Sequence, residues 1–459
     1  MGGAKNANKE SLLSEVKPSR AITGLAIPAT IALLAKAVYN IVDTAYIGLL
    51  NSEAALAAVG VTLPLLLIFV SIENIFAAGA AVLAGRQLGA GDKAGANTTI
   101  STVVAASTGI GALLCVCGIV FMEPLLTAFG ASENVLPLAK DYAFWMFIAA
   151  LANLPAQSLN CAARAESSVK ISSAAVIIGA LLNVILDPIF MFDWGLGMGV
   201  EGASLATTVS QFVTFGILAG FYISGKSIIR VGIKYIRFSA KLFKDVILIG
   251  IPTAVIQICL AAATSFTNVA AAALPDSDLI IAAYGVVQRL VLVGCYIIMG
   301  FMQGYQPVAS YAFGAKDQKR FHASAAFALK GSLLLSVVVA AVYILLSRPL
   351  ILAFNRNPAV VSYGSGLLIS QVILYPAFGL CYMMTITFQT IGASRFGLFL
   401  SVIRQGIFYI PCILLLPQML GINGIYLSQP IADVLTLIVC LLSYKAMKRI
   451  ATKNMGGSI

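Results

Sequence analysis

Charged residues are scarce in this sequence. Lysine, arginine, aspartate and glutamate make up 10% of its 459 residues, whereas 60% are hydrophobic and the mean hydropathy is +0.96. Soluble globular domains carry about 25% charged residues. The composition therefore excludes a soluble domain and predicts a protein that crosses a membrane many times.

The residues on which most enzymes and metal proteins depend are also scarce. His322 is the only histidine, it lies beside Lys319 and Arg320, and we expect it to be solvated. The eight cysteines all fall in apolar segments and form no CxxC pair, so we expect neither a disulfide framework nor a metal centre. With no Ser-His-acid set in view, we expect no enzyme and no cofactor.

Apolar runs fill most of the chain, and each is long enough to cross a bilayer, which takes about 20 residues. The twelve predicted spans are 22–48, 55–84, 98–122, 137–161, 170–191, 202–224, 245–273, 280–311, 323–346, 361–389, 396–418 and 423–444. The polar residues 1–20 contain no short apolar region, so we expect no cleaved signal peptide.

Positive charge is distributed unevenly between the two sides of these spans. The termini and the loops on their side carry 22 lysines and arginines, whereas the opposite loops carry three, Lys140, Arg348 and Arg356. Cytoplasmic loops of membrane proteins are enriched in these residues. We therefore expect a multi-pass protein of the plasma (cell inner) membrane with both termini in the cytoplasm. We expect the net charge of +11 to interact with anionic lipid, and we expect no nucleic-acid partner.

The two halves of the chain resemble each other. LAIPATIA (25–32) matches IGIPTAVI (249–256), AGRQLGAGDKAGA (84–96) matches ASYAFGAKDQKRF (309–321), and VEGASL (200–205) matches INGIYL (422–427). The offsets are 224, 225 and 222 residues. Because each repeat holds six spans, an even number, the copies are parallel repeats about an axis along the membrane normal.

We therefore expect an all-α polytopic membrane protein with twelve transmembrane helices in two six-helix lobes around a central cleft. The predicted divisions are a cytoplasmic tail (1–20), an N-terminal lobe (21–225), a basic cytoplasmic linker (226–244), a C-terminal lobe (245–446) and a cytoplasmic tail (447–459).

The fifth span contains polar groups that are costly in a membrane. Asn183 and Asp187 are four residues apart, hence on one helical face. A carboxylate at the centre of a span costs ~2.5–3.5 kcal/mol and by default marks an ion or substrate pathway. Pro188 has no N–H, which frees the carbonyl of Val184. The segment therefore predicts a small-cation site.

The repeat shows that this site is not duplicated. In register, Asp43 corresponds to Thr267, Asn183 to Gln405, and Asp187 to Tyr409. These carboxylates are thus kept in the first lobe alone, which favours one cation site there.

Five motifs are distinctive: Ile27 and Pro28 in the first span, YNIVDTAYIG (39–48), RQLGAGDKAGA (86–96), LLNVILDPIF (181–190) and GVEGASLAT (199–207). In this set the chain resembles the multidrug and toxic compound extrusion (MATE) family of antiporters. Within the family the chain resembles the DinF-like branch, in which a coupling cation binds in the N-terminal lobe. The resemblance implies that Asp43, Asn183, Asp187 and Thr207 bind this cation and that the first helix bends at Pro28.

The coupling ion remains open between H⁺ and Na⁺. Carboxylate, amide and hydroxyl oxygens suit a hard cation, and two neighbouring carboxylates raise each other's affinity for protons. Tyr39, one turn before Asp43, either hydrogen-bonds into this site or packs at a helix interface.

Further ionisable residues lie inside spans: Lys36, Glu73, Arg404 and Asp433. Lys36 and Glu73 differ in depth by about 5 Å, from a rise of 1.5 Å per residue, and we expect them to pair. The pair is either structural or takes part in substrate or cation handling.

Two functions are in view at this point. The first is an H⁺- or Na⁺-coupled antiporter that exports amphiphilic, often cationic organic compounds by alternating access. The alternative is a flippase for a lipid-linked or polysaccharide precursor. We expect a monomer whose partners are a small organic substrate and the lipid bilayer.

Overall fold

The computed structural model describes residues 11–50 and 52–456, whose regular elements are all helical. In the first half these are α1 (Pro18–Leu49), α2 (Glu53–Gly89), α3 (Lys93–Val120), the short α4 (Met122–Ala128), α5 (Leu136–Ala165), α6 (Val169–Met191) and α7 (Val200–Ile223). The linker that follows contains one 3₁₀ turn, Ile233–Tyr235.

The second half repeats this plan. Its helices are α8 (Ala240–Ala272), α9 (Ser277–Gly314), α10 (Gln318–Leu345), the short α11 (Ser347–Phe354), α12 (Pro358–Val372), α13 (Tyr375–Thr390), α14 (Ser394–Val402), a π-helical segment (Ile403–Tyr409), α15 (Ile410–Leu420) and α16 (Ile422–Asn454).

The membrane-spanning helices agree with the expected architecture. Within the described residues ten helices are long and apolar enough to cross a membrane, and the bent pair α12–α13 makes an eleventh span. The predicted tenth span, 361–389, is thus two helices that meet at 44°. Pro376, in the first turn of α13, explains this break because it lacks an N–H. The remaining predicted span, 137–161, corresponds to helix α5.

Helix α5 is less apolar than its neighbours because it is the interior helix of the first half. It packs against α2, α3 and α7. In the hydrophobic core here, Phe69 of α2 lies against Phe147 of α5 with their ring centroids 5.7 Å apart, and Leu126 and Leu154 are fully buried beside them. A helix that faces protein on several sides does not need an apolar surface all round.

The internal repeat is visible in the helix caps. Asp92 caps α3 by accepting from the N–H of Gly95 at 2.7 Å, and Asp317 caps α10 by accepting from the N–H of Arg320 at 2.9 Å. These aspartates are repeat equivalents 225 residues apart. The glycine-rich motif around Asp92 is therefore a helix N-cap, as is common for aspartate.

A second pair of equivalents begins the last helix of each half. Gly199 and Gly421 precede α7 and α16 with φ of +59° in both and ψ of −131° and −135°. Only glycine adopts this backbone region readily. The GVEGASL and GINGIYL segments therefore make the same turn.

The described chain divides into two compact units. One contains residues 11–16 and Ile31–Gly250, and the other contains Lys17–Thr30 and residues 251–456. Both α1 and α8, which are repeat equivalents, therefore begin in one unit and end in the other. The divisions fall two residues beyond Pro28 in α1 and two residues before Pro252 in α8.

Glycines allow the N-terminal part of α1 and of α8 to pack closely within the unit in which each helix begins. A Cβ added at Gly304 of α9 would lie 2.6 Å from the backbone of Ile22 and Ala26 in α1. In the other unit, a Cβ at Gly250 would collide with the backbone of Ile75. The N-terminal parts of α1 and α8 are thus closely packed, each within its own unit.

A buried carboxylate of the first unit holds the beginning of the linker after α7, and Asn97, Ser101 and Thr102 accept from backbone N–H groups further along it. Glu166 has no exposed surface, and its Oε2 accepts from Ser227 Oγ at 2.7 Å and from the N–H groups of Ile228 and Ile229 at 2.7 and 2.9 Å. Ile229 is itself fully buried. The basic linker is therefore an ordered part of this unit along these residues.

Candidate functional site

Helix α6 has one polar face that is turned inward. Asn183 and Asp187 are 2% and 0% exposed, whereas Leu181 and Ile185, on the opposite side of the same turns, are each 58% exposed. The helix therefore presents aliphatic side chains at the surface and holds its amide and carboxylate inside the first unit.

The Asn183 amide connects α6 to α7. Its Nδ2 donates to Asp187 Oδ1 at 3.0 Å and to Thr207 Oγ1 at 3.1 Å. An amide nitrogen donates and a carboxylate accepts, so an ionised Asp187 fixes which way the amide is turned. The carbonyl oxygen of Asn183 is then directed away from both partners.

Three oxygens of this cluster are buried without a hydrogen-bond partner among the described residues. They are Asp43 Oδ1, Asn183 Oδ1 and Asp187 Oδ2. The Asp43 carboxylate, from α1, also lies within electrostatic range of Asp187. Buried acceptors are normally satisfied, and three unsatisfied ones with two carboxylates fit a cation or an added proton.

The predicted cation set is thus largely brought together. Asn183, Asp187 and Thr207 form one hydrogen-bonded group, and Asp43 lies near enough to act on it. Tyr142 of α5, which the sequence analysis did not single out, lies within electrostatic range of Asp43, Asp187 and Tyr39. No sequence signal marked Tyr142, because it occurs in an ordinary aromatic stretch of α5.

The position of Tyr142 is set by hydrogen bonds from α7. Ser204 Oγ donates to the carbonyl of Tyr142 at 2.6 Å, and Thr208 Oγ1 donates to the carbonyl of Trp145 at 2.8 Å. The Trp145 indole in turn donates to Glu201 Oε1 at 2.9 Å. Helix α7 therefore supports α5 next to the cluster and supplies Thr207 to it.

The two prolines of interest lie inside continuous helices. Pro188 is in the last turn of α6, directly after Asp187, and Pro28 is in α1. Neither interrupts its helix. The bending role of Pro28 stays a prediction.

Glu73 lies in the same unit, buried to 5% exposure. Its Oε2 accepts from Asn153 Nδ2 at 2.9 Å, and the Lys36 ammonium acts on it electrostatically. The proximity of Lys36 and Glu73 agrees with the similar depths in the membrane that were expected for these two residues. A direct ion pair between Lys36 and Glu73 stays a prediction.

The second unit brings together two charged residues that the sequence left unassigned. Arg404 donates from Nε to Asp433 Oδ1 at 2.8 Å and from Nη2 to Oδ2 at 3.3 Å, and the two side chains are 9% and 1% exposed. Their opposite charges in consecutive spans were the available signal, but the sequence did not show that they face one another.

Known proteins match this chain in both of its halves. The MatE family profile matches residues 28–189 and 252–415, one segment in each half. Multidrug export protein MepA of Staphylococcus aureus is 25% identical over 423 residues, 92% of each chain, and that of Staphylococcus saprophyticus is 24% identical over 416 residues, 91% of each chain.

Solved structures share the fold. An outward-facing multidrug resistance MATE transporter of the MOP superfamily superposes with a TM-score of 0.91 at 23% identity, covering 96% of this chain and 98% of that one. A MOP superfamily transporter from Pyrococcus furiosus gives a TM-score of 0.89 at 22% identity, with the same coverage.

Proposed function

Since the chain belongs to the MatE family, we propose that it is an ion-coupled antiporter that exports amphiphilic, often cationic organic compounds. The proposal includes H⁺ or Na⁺ as the coupling ion, alternating access as the mechanism, and no chemical conversion of the substrate. Its relatives that match along nearly the whole chain are named multidrug export proteins, which favours export over the flippase alternative.

The observation that carries the proposal is the set of buried oxygens on Asp43, Asn183 and Asp187 that have no hydrogen-bond partner within residues 11–50 and 52–456. Two carboxylates without a bound cation repel each other in a medium of low dielectric. A proton or Na⁺ removes this repulsion, and the amide carbonyl of Asn183 supplies a neutral oxygen beside it. We assign Asp43 and Asp187 as the groups whose charge changes during transport.

The coupling has a simple energetic basis. A cation shifts the conformation only by its difference in affinity for the two states. An electrogenic step adds about 2.3 kcal/mol per charge for each 100 mV of membrane potential. Asn183 and Thr207 do not titrate, so they orient and bind, while the two carboxylates respond to the ion.

The proposed orientation places both termini and the linker in the cytoplasm of a cell with an inward ion gradient. Export then uses the entry of H⁺ or Na⁺ at the first-lobe cluster. The assignment to the DinF-like branch stays a prediction, as does the monomeric state.

The test is transport of a fluorescent organic cation such as ethidium by purified protein in sealed vesicles, with a pH gradient or a sodium gradient imposed separately. Asp187→Asn removes the charge at nearly unchanged volume. We expect it to bind ethidium but to lose gradient-driven transport. Asp193→Asn, an exposed aspartate six residues further on, is the matched control and should transport normally. Unchanged transport by Asp187→Asn would place the coupling site elsewhere.

A further inference from the structure

The second unit contains a cluster at the repeat positions of the first-lobe site. In the repeat register, Thr267, Gln405, Tyr409 and Gln429 stand at the positions of Asp43, Asn183, Asp187 and Thr207. Gln405, Tyr409 and Gln429 line one cavity of about 30 Å³, together with Arg404. A cavity of this size accommodates about one water molecule or a small monovalent cation.

Two of the four equivalents are uncharged hydroxyl side chains that hydrogen-bond to each other. Tyr409 Oη and Thr267 Oγ1 are 2.7 Å apart, and Thr267 Oγ1 donates its single proton to the carbonyl of Ala263 at 2.7 Å. These positions carry no charge that an ion could change.

The cluster nevertheless contains a carboxylate, because Asp433 reaches it from α16. Asp433 Oδ1 accepts from Arg404 Nε and from Gln429 Nε2 at 2.9 Å, and Oδ2 accepts from Arg404 Nη2. Arg404 comes from the π-helical segment, and its guanidinium carbon also lies 5.1 Å from the centre of the Phe378 ring. π-Helical turns occur frequently at functional sites.

The cavity has further features of a cation site. Gln405 Oε1 and Gln429 Oε1 are buried and accept no hydrogen bond from the described residues. These two amide oxygens line the cavity, and the Asp433 carboxylate is hydrogen-bonded to the lining residues Arg404 and Gln429. Oxygen atoms of these kinds are the ligands that hard cations prefer. The other titratable groups that line the cavity are Tyr284, Cys295 and Tyr409, which are ordinarily uncharged at neutral pH.

We propose that Asp433 is a second monovalent-cation site whose cation is supplied by the chain itself, as the guanidinium of Arg404. The tethered cation occupies the carboxylate permanently, so an external H⁺ or Na⁺ does not bind there. The second lobe is thereby held in a constantly neutralised state. The consequence for transport, that the first lobe alone responds to the gradient, rests on the proposed function.

The site itself is tested without transport. Arg404→Ala leaves the Asp433 carboxylate without its cation and vacates the space of a guanidinium. The full chain is purified in an Asp43→Asn/Asp187→Asn background, which silences the first-lobe carboxylates. Thermal unfolding is then followed against Na⁺ at constant ionic strength with choline, against pH, and against millimolar guanidinium.

We expect Arg404→Ala to lower the Tm by several degrees and the added cation, guanidinium above all, to recover most of the loss. Arg404→Lys, which keeps a tethered cation, and Arg404→Gln/Asp433→Asn, which removes both charges, should fold and show no such cation dependence. Arg289→Ala, an exposed arginine of the same unit, controls for loss of charge alone.

The proposal is overturned if Arg404→Ala is as insensitive to Na⁺, protons and guanidinium as the double variant, because the pair would then be only structural. It is also overturned if guanidinium in the medium recovers no folded Arg404→Ala while the double variant folds. A separate measurement in vesicles, with Asp43 and Asp187 intact, should show one additional cation carried per substrate. Failure of that measurement alone would count against the proposed coupling and not against the site.

Discussion

Asn183 Nδ2 lies 3.0 Å from Asp187 Oδ1, one helical turn further along α6, and this bond leaves the carbonyl oxygen of Asn183 without a partner in the described part of the chain. One side chain thus orients the carboxylate with its nitrogen, and in the proposed site its oxygen binds the cation. The cluster therefore depends on this amide for the hydrogen bond to Asp187 and for the carbonyl oxygen.

The first prediction concerns this amide. Asn183→Ala removes an orienting donor and one cation oxygen, a loss of ~1.4 kcal/mol or more, since hydrogen bonds to charged groups contribute roughly 1.5–3 kcal/mol. The ion concentration for half-maximal transport should therefore rise about tenfold, while substrate binding is retained. Asn74→Ala is the control, because the Asn74 amide donates to the Val70 carbonyl of its own helix. Equal effects of the two variants would contradict the prediction.

The second prediction concerns Lys36 and Glu73. Removing one partner of a buried pair costs roughly 3–5 kcal/mol, because the remaining charge is left unpaired. Lys36→Met or Glu73→Gln alone should lower the yield of folded protein, and the double substitution should recover part of it. Strictly additive losses would show that the two residues do not interact directly.

The third prediction concerns topology. The 22-to-3 distribution of cations predicts that the linker lies in the cytoplasm. In a background without native cysteines, Tyr235→Cys should resist a membrane-impermeant maleimide in intact cells and react in inverted vesicles. Ser132→Cys, in the exposed loop between α4 and α5, should show the opposite behaviour. Rapid labelling of position 235 from outside would reverse the orientation.

The fourth prediction concerns the attachment of the linker by Glu166. Glu166→Ala leaves the N–H groups of Ile228 and Ile229 without their acceptor, and opening of the segment should become easier by roughly 1.5–3 kcal/mol. Trypsin should then cut after Lys226 or Arg230 at least about ten times faster, since local opening limits proteolysis. Glu133→Ala, at an exposed acid, should leave the rate unchanged, and a slow rate in Glu166→Ala would mean that other contacts hold the linker.

The sequence predicted the spans well because long apolar runs are the direct requirement of the bilayer. It also selected Asn183 and Asp187, and the family resemblance added Thr207; the structure joins the three by hydrogen bonds. Polar residues are rare enough in such runs that each one is informative. The four-residue spacing of Asn183 and Asp187 then predicted that both lie on one face of α6.

Other features were beyond the sequence because an apolar helix does not reveal what it faces. Arg404 and Asp433 were visible as charges, but their pairing depends on the π-helical turn and on how α16 packs. Tyr142 looked like any aromatic residue of a span. Glu166 belongs to a short turn after α5, and its role depends on backbone groups of a linker about 60 residues away.

The division of α1 and α8 between the units has a consequence for how the protein is made. Residues 31–223 leave the ribosome before Gly250, yet Gly250 packs on Ile75 in the first unit. Residues 17–30, in contrast, are made first and belong with helices that are made last. Neither unit is therefore complete when the chain has been synthesised as far as the linker, and cutting the gene there would give two fragments that each lack part of their interior. Residues 17–30 are therefore synthesised before the helices against which they pack. We expect biogenesis to depend on insertion of the whole chain and not on sequential maturation of two independent halves.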